Sequence, residues 1–136
     1  MKTTSDQDNI LYELIQNSAL SSLIKGGIYK GERPLDSSAE DIVINSLFIG
    51  EGTLQPGAAT VNIYVPKVFQ NIGGQQQSIK DTARVKAILA VAQEVLREAY
   101  GSYYSLWTSR QDDSDEPDLK QTRLSFRIEF RIDNTM

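Results

Sequence analysis

Ser22-Leu23-Ile24-Lys25 has the S-x-x-K spacing, in which a lysine one helical turn from a serine can take up the hydroxyl proton and make the oxygen a nucleophile for acyl transfer. The string stands alone, without the S-D-N and K-T-G segments that accompany it in such enzymes. Lys25 is better read as a cation that complements the C-terminal end of a helix dipole. The run Asp112-Asp113-Ser114-Asp115-Glu116-Pro117-Asp118 crowds oxygen ligands as a calcium loop does. An EF-hand loop needs glycine at its sixth position, however, and Pro117 stands there. The pairs Glu40/Asp41 and Glu94/Glu98 could share general acid–base work if a cleft displaced one of their pKa values. On a helix Glu94 and Glu98 share a face, which is the ordinary pattern of a solvated surface. Gly50-Glu51-Gly52 and Gly73-Gly74 lack the lysine and hydroxyl residue of a phosphate-binding loop and read as turns. The expectation is a chain with no catalytic, cofactor-binding or metal-ligating residue.

The composition narrows the chemistry further. The chain of 136 residues contains no histidine and no cysteine, so imidazole bases, thiolate nucleophiles, disulfides and most protein zinc sites are unavailable. Acids outnumber bases by 18 to 14, and five of the acids lie in the single stretch from Asp112 to Asp118. The remainder is nearly neutral and shows no concentrated basic patch, so nucleic acid is not an expected partner. The polar start, Met1-Lys2-Thr3-Thr4-Ser5-Asp6, does not resemble a signal peptide, and no run reaches the roughly 20 apolar residues of a membrane span. Synthesis and residence in a cytoplasm are expected, with later incorporation into a larger particle left open.

Apolar spacing then gives the elements that would position these groups. Ile10, Leu11, Leu14 and Ile15, continued by Leu20, Leu23 and Ile24, recur at helical intervals after an N-cap at Asp6 or Asp8. Asn17-Ser18 marks a break into a longer and a shorter helix, and residues 1–5 are expected to be flexible. Ile28 to Gly31 reads as a short strand, and Ile42 to Ile49 as a strand covered on both faces. Thr60 to Val65 alternates as a half-buried strand ended by Pro66, and Phe69 to Gln77 reads as a mobile loop. A capping box at Ser78-Ile79-Lys80-Asp81 opens a helix of about 20 residues, with Val85, Ile88, Leu89, Ala92, Val95, Leu96 and Ala99 on one side and a stop at Gly101. Two strands follow, Tyr103 to Thr108 and Arg123 to Ile132, with residues 111–119 as an acidic hairpin tip. The fold class is α+β over residues 1–136 as a single domain. It has a mostly antiparallel sheet of about five strands, packed on one side by a long amphipathic helix plus the N-terminal helix.

Two surface features remain without a core role. Arg123, Ser125, Arg127, Glu129 and Arg131 alternate with the apolar residues of the last strand, so the arginines lie on its outer face. That face is either solvated or a subunit contact, where arginine supplies hydrogen bonds and stacking. Tyr100, Tyr103, Tyr104 and Trp107 cluster after the long helix, as core packing or as interface anchors.

In element order the chain resembles the small tail-completion or tail-terminator proteins of long-tailed bacteriophages. The resemblance rests on two stretches: Leu23-Ile24-Lys25-Gly26-Gly27-Ile28-Tyr29 with a turn at Pro34, and Thr60-Val61-Asn62-Ile63-Tyr64-Val65-Pro66 followed by a loop and the helix from about Ser78. The paired C-terminal strands extend it over nearly the whole chain. It implies a non-enzymatic phage or prophage subunit that forms a homo-oligomeric ring, with a hexamer expected, at the tail end or head–tail joint. Its partners would be copies of itself and tail-tube or head–tail connector proteins, and its location the host cytoplasm and then the virion tail or neck. The contacts expected are Arg123, Arg127 and Arg131 against Asp112, Asp113 and Asp115 of a neighbour, with Tyr104 and Trp107 as anchors. The alternative is a small cytoplasmic bacterial module that binds a ligand or protein in a cleft between the long helix and the sheet.

Overall fold

A strand that alternates apolar and polar residues can bury only one of its faces, so every covering element has to lie on that side. The computed structural model, which describes residues 1–135, is built on this constraint. Helices α1 (Thr4–Gln16) and α2 (Ala19–Leu23) are followed by β1 (Ile28–Lys30), β2 (Ile42–Ile49) and β3 (Leu54–Pro66). A hairpin of β4 (Val68–Ile72) and β5 (Gln75–Ile79) leads to α3 (Thr82–Leu96), and then come β6 (Glu98–Tyr100), β7 (Tyr104–Glu116) and β8 (Gln121–Asp133). Six strands form one sheet in the order β1-β2-β3-β8-β7-β6, in which only the β1–β2 pair is parallel. The fold is therefore α+β with a mostly antiparallel sheet of six strands rather than five. The sixth is Glu98–Tyr100, a segment whose apolar spacing continues that of the helix before it.

One core joins the inner faces of the strands to the helices. Leu124, Phe126, Ile128, Phe130 and Ile132 of β8 meet Val61 and Ile63 of β3, Leu11 and Ile15 of α1, and Ile88 and Leu96 of α3, all buried. Each such side chain removed from water contributes about 1.5–3 kcal/mol. The break at Asn17-Ser18 is real, and Ser18 caps α2 by accepting from the Leu20 amide. Helix α1 starts earlier than Asp6, because the Asp6 carboxylate accepts from the Thr3 amide at 2.7 Å and closes the first turn from inside. Lys2 is pinned as well, through reciprocal backbone bonds to the buried Gln55 amide at 3.0 Å, so the chain from Lys2 onward is fastened to the sheet.

Helix α3 has 15 residues and spans about 22 Å rather than 30 Å. Asp81, not Ser78, caps it by accepting from the Arg84 amide. It stops at Leu96 because strand β7 takes over its last carbonyls: Thr108 Oγ1 donates to Leu96 O at 2.7 Å and the Thr108 amide to Arg97 O at 3.2 Å. Strand β2 is buried only from Ile42 to Ile44, while Leu47 and Phe48 are exposed. A bulge at Leu47 interrupts its pairing with β3. The wholly buried Gln7 fills the interruption, donating to Phe48 O at 3.1 Å and lying within hydrogen-bond distance of Ser46 Oγ and Ala58 O.

Gly57 makes room for that amide, since a Cβ there would coincide with the Gln7 side chain. Gly57→Ala is expected to lower stability by about 1–3 kcal/mol through overpacking, at roughly 3–5 °C of Tm per kcal/mol for a chain of this size. Thermal unfolding followed by circular dichroism checks this, and an unchanged Tm would mean that Gln7 leaves the bulge at no cost.

Candidate assembly interface

The second face of the sheet carries no helix among the described residues. On it β8 presents Arg123, Ser125, Arg127, Glu129 and Arg131, with Tyr64, Asn62 and Thr60 of β3 opposite the first three. From β7 the same face receives Trp107, Arg110, Asp112 and Ser114, opposite Glu129, Arg127, Ser125 and Arg123. The arginines predicted for the outer face are therefore there, but each already has a neighbour within the chain. Arg123 meets Glu116 at 3.2 Å, Arg127 meets Glu129 at 3.0 Å, and the Arg131 guanidinium lies 5.8 Å from the Trp107 ring centre. Arg110 and Asp112 pair at 3.0 Å. Such exposed pairs contribute only about 0–1 kcal/mol each, so exchanging one for a contact across an interface costs little.

The acidic run is not a hairpin tip. Asp112 to Glu116 are the second half of β7, paired along their length with β8, and the tip shrinks to a 3₁₀ turn at Pro117–Leu119 and a left-handed Lys120. A bulge at Ser109 shifts the register. Beyond it the acids alternate: Asp112 lies on the open face, whereas Asp113 and Asp115 lie on the helix side. Asp113 pairs there with Lys80 at 2.9 Å, and Asp115 pairs with Lys67. Strand geometry thus separates carboxylates that the sequence places together. Tyr104 is also on the helix side, packed on the core edge-to-face with Tyr103 at 5.5 Å, while Trp107 stays on the open face. Burial, with Tyr103 and Glu13 nearby, raises the Tyr104 pKa. Of the residues predicted for an interface, Arg123, Arg127, Arg131, Asp112 and Trp107 share one surface, and Asp113, Asp115 and Tyr104 do not.

The carboxylate pairs resolve into structure. Glu40 is buried and held by a fork from Arg84, with Nε donating to Oε2 at 2.8 Å and Nη2 to Oε1 at 2.7 Å, and by the Lys25 amide at 3.0 Å. Asp41, equally buried, accepts from the Gly27 amide at 3.0 Å, from the Ser37 hydroxyl and from Arg33 at 3.4 Å. Arg33 in turn stacks on Tyr64, 3.8 Å from its ring centre. This brace ties the segment after α2 to the start of β2 and to α3. Burial works to raise the Glu40 pKa, but the Arg84 hydrogen bonds and charge, with the Lys25 amide, outweigh it and hold the carboxyl below its ordinary range. A carboxyl held ionised in this way is a poor general acid. Glu98 lies in β6 rather than on the helix, so it does not share a helical face with Glu94. Lys25 follows the extended Ile24 that ends α2, so it is not one helical turn from Ser22.

Sequence reading missed one element here. Residues 68–79 are not a mobile loop but a hairpin, whose turn residues Gly73 and Gly74 have φ of 59° and 84°. Positive φ at both turn positions matches the twist of antiparallel strands, and two glycines between five-residue segments are the signal for it. A groove between α3 and β7 lies where the alternative reading expects a cleft between the long helix and the sheet. One hollow of 230 Å³ is lined by Leu89, Gln93, Arg97, Thr108, Gln111 and Phe126. A second, of 440 Å³, shares Leu89 and Gln93 and continues toward Lys80 and Asp113.

No family model matches the sequence, and no curated protein matches it. Among solved structures the chain is similar in fold to a chain of one described as the virion of a native gene transfer agent (GTA) particle. That likeness has a TM-score of 0.55 at 15% identity and covers 91% of this chain and 92% of the other.

The Glu40 brace has a signed pH dependence. A carboxyl whose folded pKa is lowered contributes stability above its unfolded pKa, near 4.5, and loses it as pH falls through the lowered value. The urea midpoint is therefore expected to fall below about pH 4.5, and Glu40→Gln to flatten that decline; parallel profiles for the two proteins would show that the brace contributes nothing.

Proposed function

We propose that this chain is a non-enzymatic structural subunit of a phage or phage-like particle, of the tail-completion or tail-terminator kind. It forms a ring of like subunits, six being the expected number, at the tail end or head–tail joint. The observation that carries this reading is the agreement in fold, over nearly the full length of both chains, with a chain of a GTA virion. The open sheet face supports it, because a six-stranded sheet with one face uncovered offers a broad, flat, mixed-sign surface of the kind that pairs with other chains. Tail-tube or connector proteins are the other partners on this reading, and the subunit passes from the host cytoplasm into the virion.

In this scheme Arg123, Arg127 and Arg131 are contact residues that exchange their weak internal pairs for acids of a neighbour, with Trp107 as the aromatic anchor between them. A second reading, a small bacterial ligand- or protein-binding module, draws on the groove beside α3. The groove is elongated and partly polar, which suits a segment of chain better than a compact ligand.

Light scattering of the purified protein is expected to give a mass near six times 15.2 kDa, with rings in negative-stain images. Arg127→Glu combined with Arg131→Glu is expected to shift the mass toward the single chain with the circular dichroism spectrum unchanged. A wild-type protein that remains monomeric throughout the accessible concentration range would overturn the ring.

A further inference from the structure

The hairpin β4–β5 and the groove beside α3 are two unfilled features of one chain, and their properties match. All five residues of β4 are exposed, including Val68, Phe69 and Ile72 at 41%, 62% and 45%, and β4 pairs with β5 alone. A two-stranded hairpin is marginal by itself in water. From Val68 to Ile79 it carries no charged residue, only apolar side chains, amides, glycines and one serine. Its cross-strand register puts Val68, Ile72 and Ile79 on one face with Gln70, Gln75 and Gln77.

The groove presents the complement. Its floor is Phe126, Leu89 and Thr108, and its rim carries the amides of Gln93 and Gln111 with the exposed Arg97 at one end. One wall is the half of β7 from Ser109 to Glu116, which has β8 on one side and, among the described residues, no strand on the other, because antiparallel β6 begins at Glu98, opposite Trp107. That open edge is about 26 Å long at the usual rise per residue, and each hairpin strand is about 17 Å. An added strand would therefore find backbone partners along its full length.

We infer that the β4–β5 hairpin of one copy docks in the α3–β7 groove of the next, adding a strand to the open edge of β7 and laying Val68 and Ile72 over Leu89 and Phe126. The inference rests on the ring reading and adds a second subunit contact beside the arginine face. The hairpin does not fill its own groove: its base is pinned at the end of β7 by Lys67–Asp115 and Lys80–Asp113, and beyond the partly buried Ser78 and Ile79 its strands are exposed. Hairpin and groove are thus different patches of the same surface, and a contact between them is head-to-tail, the kind that closes into a ring. The open sheet face is the poorer acceptor. A neutral arm laid there would desolvate Arg127, Glu129 and Arg131 and give them nothing in return.

The absence of cysteine gives a clean test. Ile72→Cys and Gln111→Cys are made in separate chains, both at exposed positions, and thermal unfolding of each is compared with wild type to confirm the fold. Mixed and treated with a short bismaleimide, the pair is expected to give a covalent dimer at twice 15.2 kDa, and Ile72→Cys mixed with Arg131→Cys none. Rings by light scattering without the first cross-link, or with the second in its place, would overturn the hairpin contact and leave the ring standing. Monomers throughout with no cross-link would overturn both.

Discussion

The organisation of this molecule follows from burying one side of a long antiparallel sheet. Strand β8 contributes five apolar residues to the core and five polar ones to the opposite face, in strict alternation from Arg123 to Ile132, within a strand of 13 residues paired on both flanks. A shift of one residue against β3 would move Leu124, Phe126, Ile128, Phe130 and Ile132 into water together, so the register is strongly specified. Because only that face is apolar, α1 and α3 have to share it, and the other face is left open. The open surface is thus a consequence of the core pattern.

The polar interior serves the same constraint. The connections around α2 and before β2 run beside the core, where unpaired backbone amides are costly. Glu40 and Asp41 answer this by accepting from the amides of Lys25 and Gly27 while Arg84 and Arg33 balance their charge. Gln7 does the corresponding task at the bulge of β2. Gly26 is fixed by the same brace, since a side chain there would meet Glu40 O and the Asp41 carboxylate. These residue types are the ones a catalytic reading would single out, and their geometry spends them on backbone amides and paired guanidinium groups.

Most of the architecture was legible where one period ran unbroken. The alternation of β8, the helical spacing from Val85 to Leu96 and the break at Asn17-Ser18 each carry their own evidence. What was not legible depended on long-range pairing. The helix pattern continues through Ala99, and only the ladder between Glu98–Tyr100 and Ser105–Trp107 makes that segment a strand. The acids from Asp112 to Glu116 have low strand propensity and were read as a tip; pairing with β8 overrides propensity, and the bulge at Ser109 decides which acid faces which side. Alternation placed the arginines on the outer face of β8, where they lie, but nothing in the sequence separated Trp107 and Asp112, which share that face, from Asp113, Asp115 and Tyr104, which do not.

That distribution of charge bears on how copies could meet. The acids and arginines of the outer strands largely satisfy one another within the chain, which leaves little unbalanced charge to impose a partner. The hairpin carries none at all. An arm without charges gains nothing from electrostatic steering and depends on shape, apolar contact and backbone hydrogen bonds, all of which are short-ranged. Selection among surfaces then falls to desolvation: a neutral strand is excluded wherever it would strand an ion pair and accepted where the receiving edge offers unpaired amides and carbonyls over an apolar floor. Among the described residues the stretch of β7 beyond β6 offers such an edge over Leu89, Thr108 and Phe126, with Arg97 and the Lys80–Asp113 pair at the margin of the groove, and its acids keep the edge from pairing with unrelated strands.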